Sequence, residues 1–215
     1  MFRPVLTAGA AVALMAAASF APSSASSEGV PPPDRVVIDV VAVNGSGCPA
    51  GTAAVAVAPD NTAFTVTYSK YLAQVGVGAK PTDFRKNCQL GLNVHVPQGF
   101  TYAVAKADYR GFAHLESGAS GMERASYYFQ GMSQTTSVSH RFTGPYSDDW
   151  ETTDVTGAAE LVYAPCGVSR ILNVNTELRV GAGSSDPAST TSFMAMDSTD
   201  GSVSTVYHFA WKECP

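Results

Sequence analysis

Residues that suit sugar binding fall close together at residues 144–151, where aromatic rings alternate with carboxylates. The stretch reads Gly-Pro-Tyr-Ser-Asp-Asp-Trp-Glu. Carbohydrate sites combine flat aromatic faces with hydrogen-bonding carboxylates, and glycosidases need two carboxyl groups about 5 to 10 Å apart. We therefore take Tyr146, Asp148 and Trp150 as candidate ligand-binding residues on a loop. The alternative is an ordinary loop that turns Trp150 into the core and leaves its acids in solvent.

A further candidate is Tyr128, which lies in the run Tyr127-Tyr128-Phe129. Successive side chains of a strand point to opposite faces, so either Tyr128 or its two neighbours must turn away from the core. An outward Tyr128 can stack on a sugar ring or join a protein interface. The alternative is that a neighbouring loop covers it.

A polar ladder follows later in the chain. Its members are Asn173, Asn175, Glu177 and Arg179, and they alternate with apolar residues. A row of amides and charges on one sheet face can bind polar ligands, as the sheet faces of some lectins do. The same pattern is also the ordinary outer face of a half-buried strand.

Motifs for catalysis, cofactors and metals are missing from the sequence. There is no nucleophile elbow, no zinc-protease helix motif and no phosphate-binding loop. The four histidines are His95, His114, His140 and His208, and they fall on different predicted strands. Because no local pair suggests a chelate, we predict neither a metal site nor a cofactor.

Four cysteines occur in the chain, and none lies within four residues of another. An even number in an exported protein indicates disulfides. Of the three possible pairings we favour Cys48–Cys88 and Cys166–Cys214. Each of these bonds joins neighbouring segments, and the second ties down the C-terminus.

The first 25 residues are predicted to be a secretory signal peptide. Arg3 supplies a positive charge, an apolar run continues to Phe20, and small residues come next. This pattern places cleavage after Ala25, or alternatively after Ala21. An uncleaved membrane anchor is disfavoured because the run is shorter than the ~20 apolar residues that span a bilayer. We therefore expect a secreted, extracellular protein without a membrane segment in its mature form.

The composition of the rest of the chain predicts a spacer followed by one domain, and it argues against one class of partner. Residues 26–33 are rich in Ser and Pro, which predicts an extended spacer, and residues 34–215 contain no second linker, which predicts one domain. The chain has 13 Lys and Arg residues against 18 Asp and Glu residues, a formal net charge of −5. Because so few cations cannot neutralise many phosphates, the composition argues against a nucleic-acid partner.

The body of the chain has the pattern of short β-strands. Apolar and polar residues alternate with a period of two at residues 172–180. Residues 59–61 suit a tight turn, and Asp200-Gly201 suits a hairpin. Residues 118–128 and 156–163 each have room for a helical turn. We predict an all-β fold, an antiparallel β-sandwich or jelly roll of roughly nine or ten strands with two disulfides.

Several motifs resemble those of one family of exported proteins. The matching motifs are Val36-Val37-Ile38-Asp39-Val40, Asn44-Gly45-Ser46-Gly47-Cys48-Pro49, Asp83-Phe84-Arg85-Lys86-Asn87-Cys88, Pro97-Gln98-Gly99-Phe100, Asp108-Tyr109-Arg110-Gly111 and Phe142-Thr143-Gly144-Pro145. Together with residues 60–66, they resemble the domain-of-unknown-function family number 4360, small secreted proteins of bacteria and fungi. The resemblance spans residues 34–215. It implies a secreted, disulfide-containing domain and assigns no catalytic residue.

The sequence favours an extracellular binding or surface-interaction module without catalysis. A carbohydrate or cell-wall polymer is a candidate ligand, and another protein is also a possible partner. One alternative is an extracellular polymer hydrolase that uses paired carboxylates. A second alternative is a secreted protein inhibitor that presents a rigid loop at residues 45–51. Sandwich folds host all three functions, so the fold does not decide among them.

Overall fold

The computed structural model describes residues 29–196 and 205–215. The predicted signal peptide and the predicted Asp200-Gly201 hairpin turn lie outside these residues. The described chain has no α-helix, and therefore no helix that is long and apolar enough to cross a membrane. Its strands are β1 (Val37–Asn44), β2 (Ala53–Val57), β3 (Ala63–Tyr68), β4 (Leu72–Gly76), β5 (Arg85–His95), β6 (Phe100–Leu115), β7 (Ser120–Phe129), β8 (Thr136–Thr143), β9 (Tyr146–Val155), β10 (Ile171–Gly181), β11 (Thr191–Met196) and β12 (Thr205–Glu213).

The strands form two antiparallel sheets packed as a sandwich, which confirms the predicted fold class. The first sheet has five strands in the order β1-β5-β10-β7-β8. Its central strand is β10, whose alternation turns Leu172, Val174 and Leu178 into the core. The four ladder residues of β10, Asn173, Asn175, Glu177 and Arg179, therefore face away from the second sheet, whereas Thr176 faces the core and hydrogen-bonds Tyr71.

The second sheet has seven strands and is organised around the long strand β6. Strand β12 pairs with the first part of β6, β11 pairs with its last part, and β9 pairs with residues 106–115. Strand β3 then joins β12 to β2, and β11 joins β6 to β4. Because residues of β6 that pair with β9 also pair with β11 or β12, those two strands lie on the side of β6 opposite β9.

The core between the sheets is aliphatic on one side and aromatic on the other. The five-stranded sheet contributes mainly leucines and valines, and the seven-stranded sheet contributes Phe64, Tyr102, Tyr109, Tyr207, Phe209 and Trp211. The rings of Phe64 and Tyr207 stack with their centroids 4.8 Å apart. Burying one large apolar side chain stabilises the fold by about 1.5–3 kcal/mol, so this layer is the main source of stability.

Both predicted disulfides are present. Cys48 and Cys88 have Cα atoms 5.3 Å apart, and Cys166 and Cys214 have Cα atoms 5.8 Å apart. The bonds close segments with sequence separations of 40 and 48 residues. On the chain-entropy model, loops of this size contribute about 4 kcal/mol each.

The N-terminal end of the described chain contacts the sandwich. Gly29 forms a β-bridge with Trp211. A Cβ atom at Gly29 would lie 2.3 Å from the Trp211 carbonyl oxygen, so this close approach requires glycine. Asn61 donates hydrogen bonds to the carbonyl oxygens of Pro32 at 3.0 Å and Asp34 at 2.8 Å.

Two local predictions were wrong. Residues 118–128 do not form a helical turn, because residues 120–129 are strand β7, paired with β10 and β8. Residues 144–151 are not a loop, because β9 begins at Tyr146. In both segments, pairing with neighbouring strands determines the conformation, because the local preference for a helical turn or a loop is weak.

Candidate functional site

The outward side chains of the five-stranded sheet form a continuous polar surface. Paired residues of antiparallel strands point to the same side, so the register groups these side chains into rows. One row crosses all five strands and consists of Asn44, Gln89, Asn175, Ser126 and Ser137. Amide and hydroxyl groups both donate and accept hydrogen bonds, so the row can match the hydroxyl groups of a polar ligand.

Two further rows lie beside the first and carry most of the charge. The next row consists of Asn87, Glu177, Arg124 and Ser139, and the one beyond it of Arg85, Arg179, Met122 and Arg141. On the other side of the first row, Gly91, Asn173 and Tyr128 form a fourth row. We call these four rows together the polar sheet face.

Glu177 bridges two arginines within this face. One carboxylate oxygen accepts a hydrogen bond from Arg85, and the other accepts one from Arg179. The Glu177 side chain is 12% exposed, whereas the two arginines are 43% and 48% exposed. The carboxylate therefore holds both guanidinium groups in place while their outer N–H groups stay accessible.

A cavity of about 270 Å³ opens on the polar sheet face. Its polar lining includes Gln89, Asn175, Glu177, Arg85 and Arg124. The side-chain oxygen of Asn175 is buried and has no hydrogen-bond partner among the described residues. A buried carbonyl group without a partner costs free energy, and a donor on a ligand would remove that cost.

The structure joins two features that the sequence presented separately. Tyr128 is half-buried on β7 and lies beside Asn173, the first member of the polar ladder on β10. Tyr128 is therefore a member of the polar sheet face. An aromatic ring beside the amides of Asn173 and of the neighbouring row is an arrangement that can hold a sugar ring.

The other three predicted site residues lie on β9 of the opposite sheet, so the structure does not bring them together with Tyr128. Trp150 is only 3% exposed and packs against Phe142, with ring centroids 5.5 Å apart. Its ring is therefore not presented to a ligand. Tyr146 is half-buried and donates a hydrogen bond to the Asp149 carbonyl oxygen at 2.7 Å, and Asp148 is exposed.

Comparison with known proteins shows where the chain belongs. Residues 34–214 match the family described as Domain of unknown function (DUF4360). The chain belongs to the DUF4360 family. It is 37% identical over 184 residues to an "Uncharacterized secreted protein" of Arthroderma benhamiae, which covers 86% of this chain and 74% of the relative. The family resemblance and the extracellular location inferred from the sequence are thereby confirmed.

This DUF4360 chain has a second group of surface residues that the sequence reasoning missed. Phe112 of β6 and Phe193 of β11 lie on the outer face of the seven-stranded sheet, with ring centroids 5.9 Å apart. Beside them, His114 Nδ1 lies 3.1 Å from Ser147 Oγ, and His114 Nε2 lies 3.3 Å from Glu116 Oε1. The spacing of two residues between His114, on β6, and Glu116, just after its end, was the signal for a shared face.

Each of the four histidines of this DUF4360 chain contacts a carboxylate. His95 pairs with Asp39, His114 with Glu116, His140 with Asp154 and His208 with Asp108. Burial alone would raise the pKa of Asp108, but hydrogen bonds from Lys106, Thr153 and His208 lower it to about 2. The described residues contain no group of three or more His, Cys, Asp or Glu that could hold a metal ion.

An acidic side chain also lies inside the core of this DUF4360 chain. Glu123 points inward from β7, is fully buried, and neither of its carboxylate oxygens has a partner among the described residues. Burial, together with the charge of Asp154, raises the pKa of Glu123 from 4.5 to about 9. Nearby, Tyr127 hydrogen-bonds both Tyr109 and Asp154. Glu123 is therefore protonated at neutral pH, and it is enclosed rather than open to a ligand.

A larger cavity of about 670 Å³ lies at the end of the sandwich near the Cys166–Cys214 disulfide. Half of its lining residues are Gly, Pro, Ala or Val, and its polar side chains are His95, Gln98, Thr101, Tyr102, Ser169 and Arg170. These polar side chains come from separate strands and loops and do not form a row of amides like the one on the polar sheet face. We therefore place the candidate site of this DUF4360 chain on the polar sheet face.

Proposed function

We propose that this secreted protein is a non-catalytic binding module that holds a carbohydrate polymer on the polar sheet face. The observation that carries the proposal is the cavity of about 270 Å³ at Asn175, whose buried carbonyl oxygen has no partner among the described residues. A sugar hydroxyl would donate to that oxygen after the Asn175 amide group rotates toward the cavity, because the oxygen is buried in the unbound protein. Gln89 and Ser126, on either side in the same row, would bind neighbouring hydroxyl groups.

The scaffold suits binding because its side chains are already held in position. Gln89, Asn175 and Ser126, the three central residues of the row, lie on strands that pair on both sides within the sheet, so little ordering is needed when a ligand arrives. Tyr128 would stack on a sugar ring at one end of the face. A chain of sugar rings could therefore extend from Tyr128 across the first row.

The charges of the face support binding rather than hydrolysis. A glycosidase of the usual kind needs two carboxyl groups, one of them able to donate a proton. Among the described residues of the four rows, the only carboxylate is Glu177, and both of its oxygens are engaged by arginines. The hydrolase alternative would instead use Asp148 and its neighbours on β9.

The test is retention on polymers together with sugar release. Oxidised protein would be mixed with chitin, cellulose, peptidoglycan and polygalacturonate, and both bound protein and soluble sugar would be measured. Asn175→Ala and Tyr128→Ala should each weaken binding by about threefold to tenfold, the effect of one hydrogen bond or one ring contact.

Matched controls are available away from the face. Gln98→Ala removes an exposed amide, and Tyr163→Ala removes a half-buried tyrosine whose ring contacts Lys212. These variants should bind as the unchanged protein does. If the face variants bind as strongly as the controls, or if no polymer is retained, the proposed site is wrong. Release of soluble sugar would instead support the hydrolase.

A further inference from the structure

Positive charge is concentrated on the polar sheet face, although the chain as a whole has a net charge of −5. Four of the eight arginines lie there: Arg85, Arg124, Arg141 and Arg179. Among the described strands of this sheet, the outward carboxylates are Glu177 and Asp39. Asp39 lies at the far end of the sheet and pairs with His95 at 2.7 Å.

Two of these arginines lack an acidic partner. Arg124 donates from Nε to Ser137 Oγ at 3.2 Å and forms no ion pair with a described residue. Arg141 is exposed and makes no hydrogen bond or ion pair with any described residue. A guanidinium group has five N–H donors in a planar fork, so Arg124 keeps four donors and Arg141 all five for an anion.

The other two arginines are oriented by Glu177. Each uses one N–H group on that carboxylate, which leaves further donors for a ligand. The four arginines and Glu177 together carry a local charge of +3. Since neighbouring strands lie about 4.8 Å apart, the row from Arg85 on β5 to Arg141 on β8 spans about 14 Å at the Cα atoms.

We propose that the polar sheet face binds a polysaccharide with carboxylate groups, such as a polymer of uronic acid. This inference rests on the proposed function and specifies its ligand. The planar arginine forks match planar carboxylates with two parallel hydrogen bonds. The first row, which carries the amides, matches the hydroxyl groups of the same sugars. The row from Arg85 to Arg141 spans about 14 Å, which suits a repeating chain of charges better than one small anion.

The experiment compares a polymer that carries free carboxylates with the same polymer after methyl esterification, which removes the charge. Binding of the oxidised, unchanged protein would be measured by titration calorimetry with polygalacturonate and with its methyl-esterified form, each in 50 mM and 500 mM NaCl. We expect polygalacturonate to bind at least tenfold more tightly than the ester at low salt, and to lose most of that advantage at high salt.

The variants Arg124→Gln and Arg141→Gln test the face directly. Each should weaken polygalacturonate binding about tenfold, because it removes a charge-assisted pair. Arg110→Gln is the matched control, since it removes one charge from the outer face of the other sheet, where Arg110 pairs with Glu151 at 2.9 Å. Thermal unfolding would confirm that all three variants fold, as expected for exposed side chains.

The outcomes separate this inference from the proposed function. Equal binding of the two polymers, with no effect of Arg124→Gln or Arg141→Gln, would overturn the carboxylate inference. If Asn175→Ala still weakens polymer binding in that case, the carbohydrate-binding function stands. If no polymer of either kind binds through the face, both proposals fail. An equal loss in Arg110→Gln would indicate charge attraction without a site and would also overturn the inference.

Discussion

Replacing Glu123 by Gln should remove much of the pH dependence of stability between about pH 5 and pH 8. Glu123 is fully buried, and burial raises its pKa from 4.5 to about 9. In this range the unfolded chain ionises the carboxyl group, whereas the folded chain keeps its proton. The folded state then binds more protons than the unfolded state, so the free energy of unfolding falls as the pH rises.

The size of the effect follows from this difference of one proton. The free energy of unfolding changes by about 1.4 kcal/mol per pH unit, or about 4 kcal/mol between pH 5 and pH 8. Total stabilities of single domains are about 5–15 kcal/mol, so the change is easily measured. Gln has nearly the same shape and cannot ionise. The Glu123→Gln variant should therefore be similar to the unchanged protein at pH 5 and up to about 4 kcal/mol more stable at pH 8.

Urea unfolding of both oxidised proteins at several pH values would test this prediction. The difference in the free energy of unfolding between the two proteins reports the ionisation of Glu123 alone. The other titratable groups, among them Asp154, Tyr109, Tyr127 and the histidines, are common to both proteins. A difference that stays constant from pH 5 to pH 8 would refute the reasoning. Greater stability of the unchanged protein at pH 8 would show that the ionised carboxylate has partners in the core.

Four other substitutions have defined expected effects on the free energy of unfolding, measured by urea denaturation. Asn61→Ala removes hydrogen bonds to the segment before β1 and should cost about 2–3 kcal/mol; a cost below about 0.5 kcal/mol would mean that this segment is not fastened. Asp108→Asn should lower the free energy of unfolding by about 1–2 kcal/mol at pH 7. This loss should disappear as the pH falls from about 4 to 2, because the pKa of Asp108 is lowered to about 2 in the folded protein and its carboxylate is then protonated. Trp150→Ala should cost about 3–5 kcal/mol, whereas Tyr128→Ala should cost less than about 1 kcal/mol, and equal costs would contradict their different burial.

The sequence predicts the parts of the fold that depend on local alternation. Strand β10 is the clearest case, because Leu172, Val174 and Leu178 face the core as their spacing indicates. Strand β9 could not be found in the same way. It is rich in Asp, Glu and Thr, and its pairing with β6 determines its conformation. The burial of Trp150 follows from that pairing.

The candidate site depends on register between strands that are distant in the chain. Arg85 and Glu177 are separated by 92 residues in sequence, yet they form an ion pair. The net charge of −5 is a sum over the whole chain, so it does not show that positive residues are grouped on one sheet face. Tyr128 and the ladder on β10 were both visible in the sequence, but their adjacency required the pairing of β7 with β10.

The bridge between Gly29 and Trp211 also determines how the protein can be attached to a support. Gly29 and the C-terminal strand β12 lie together on the seven-stranded sheet, whereas the polar sheet face belongs to the five-stranded sheet. A linker or affinity tag added at the C-terminal end would leave that face turned toward the solution. Immobilisation through such a tag therefore provides a uniformly oriented biosensor surface, whereas amine coupling would distribute the attachment among the five lysines of the chain.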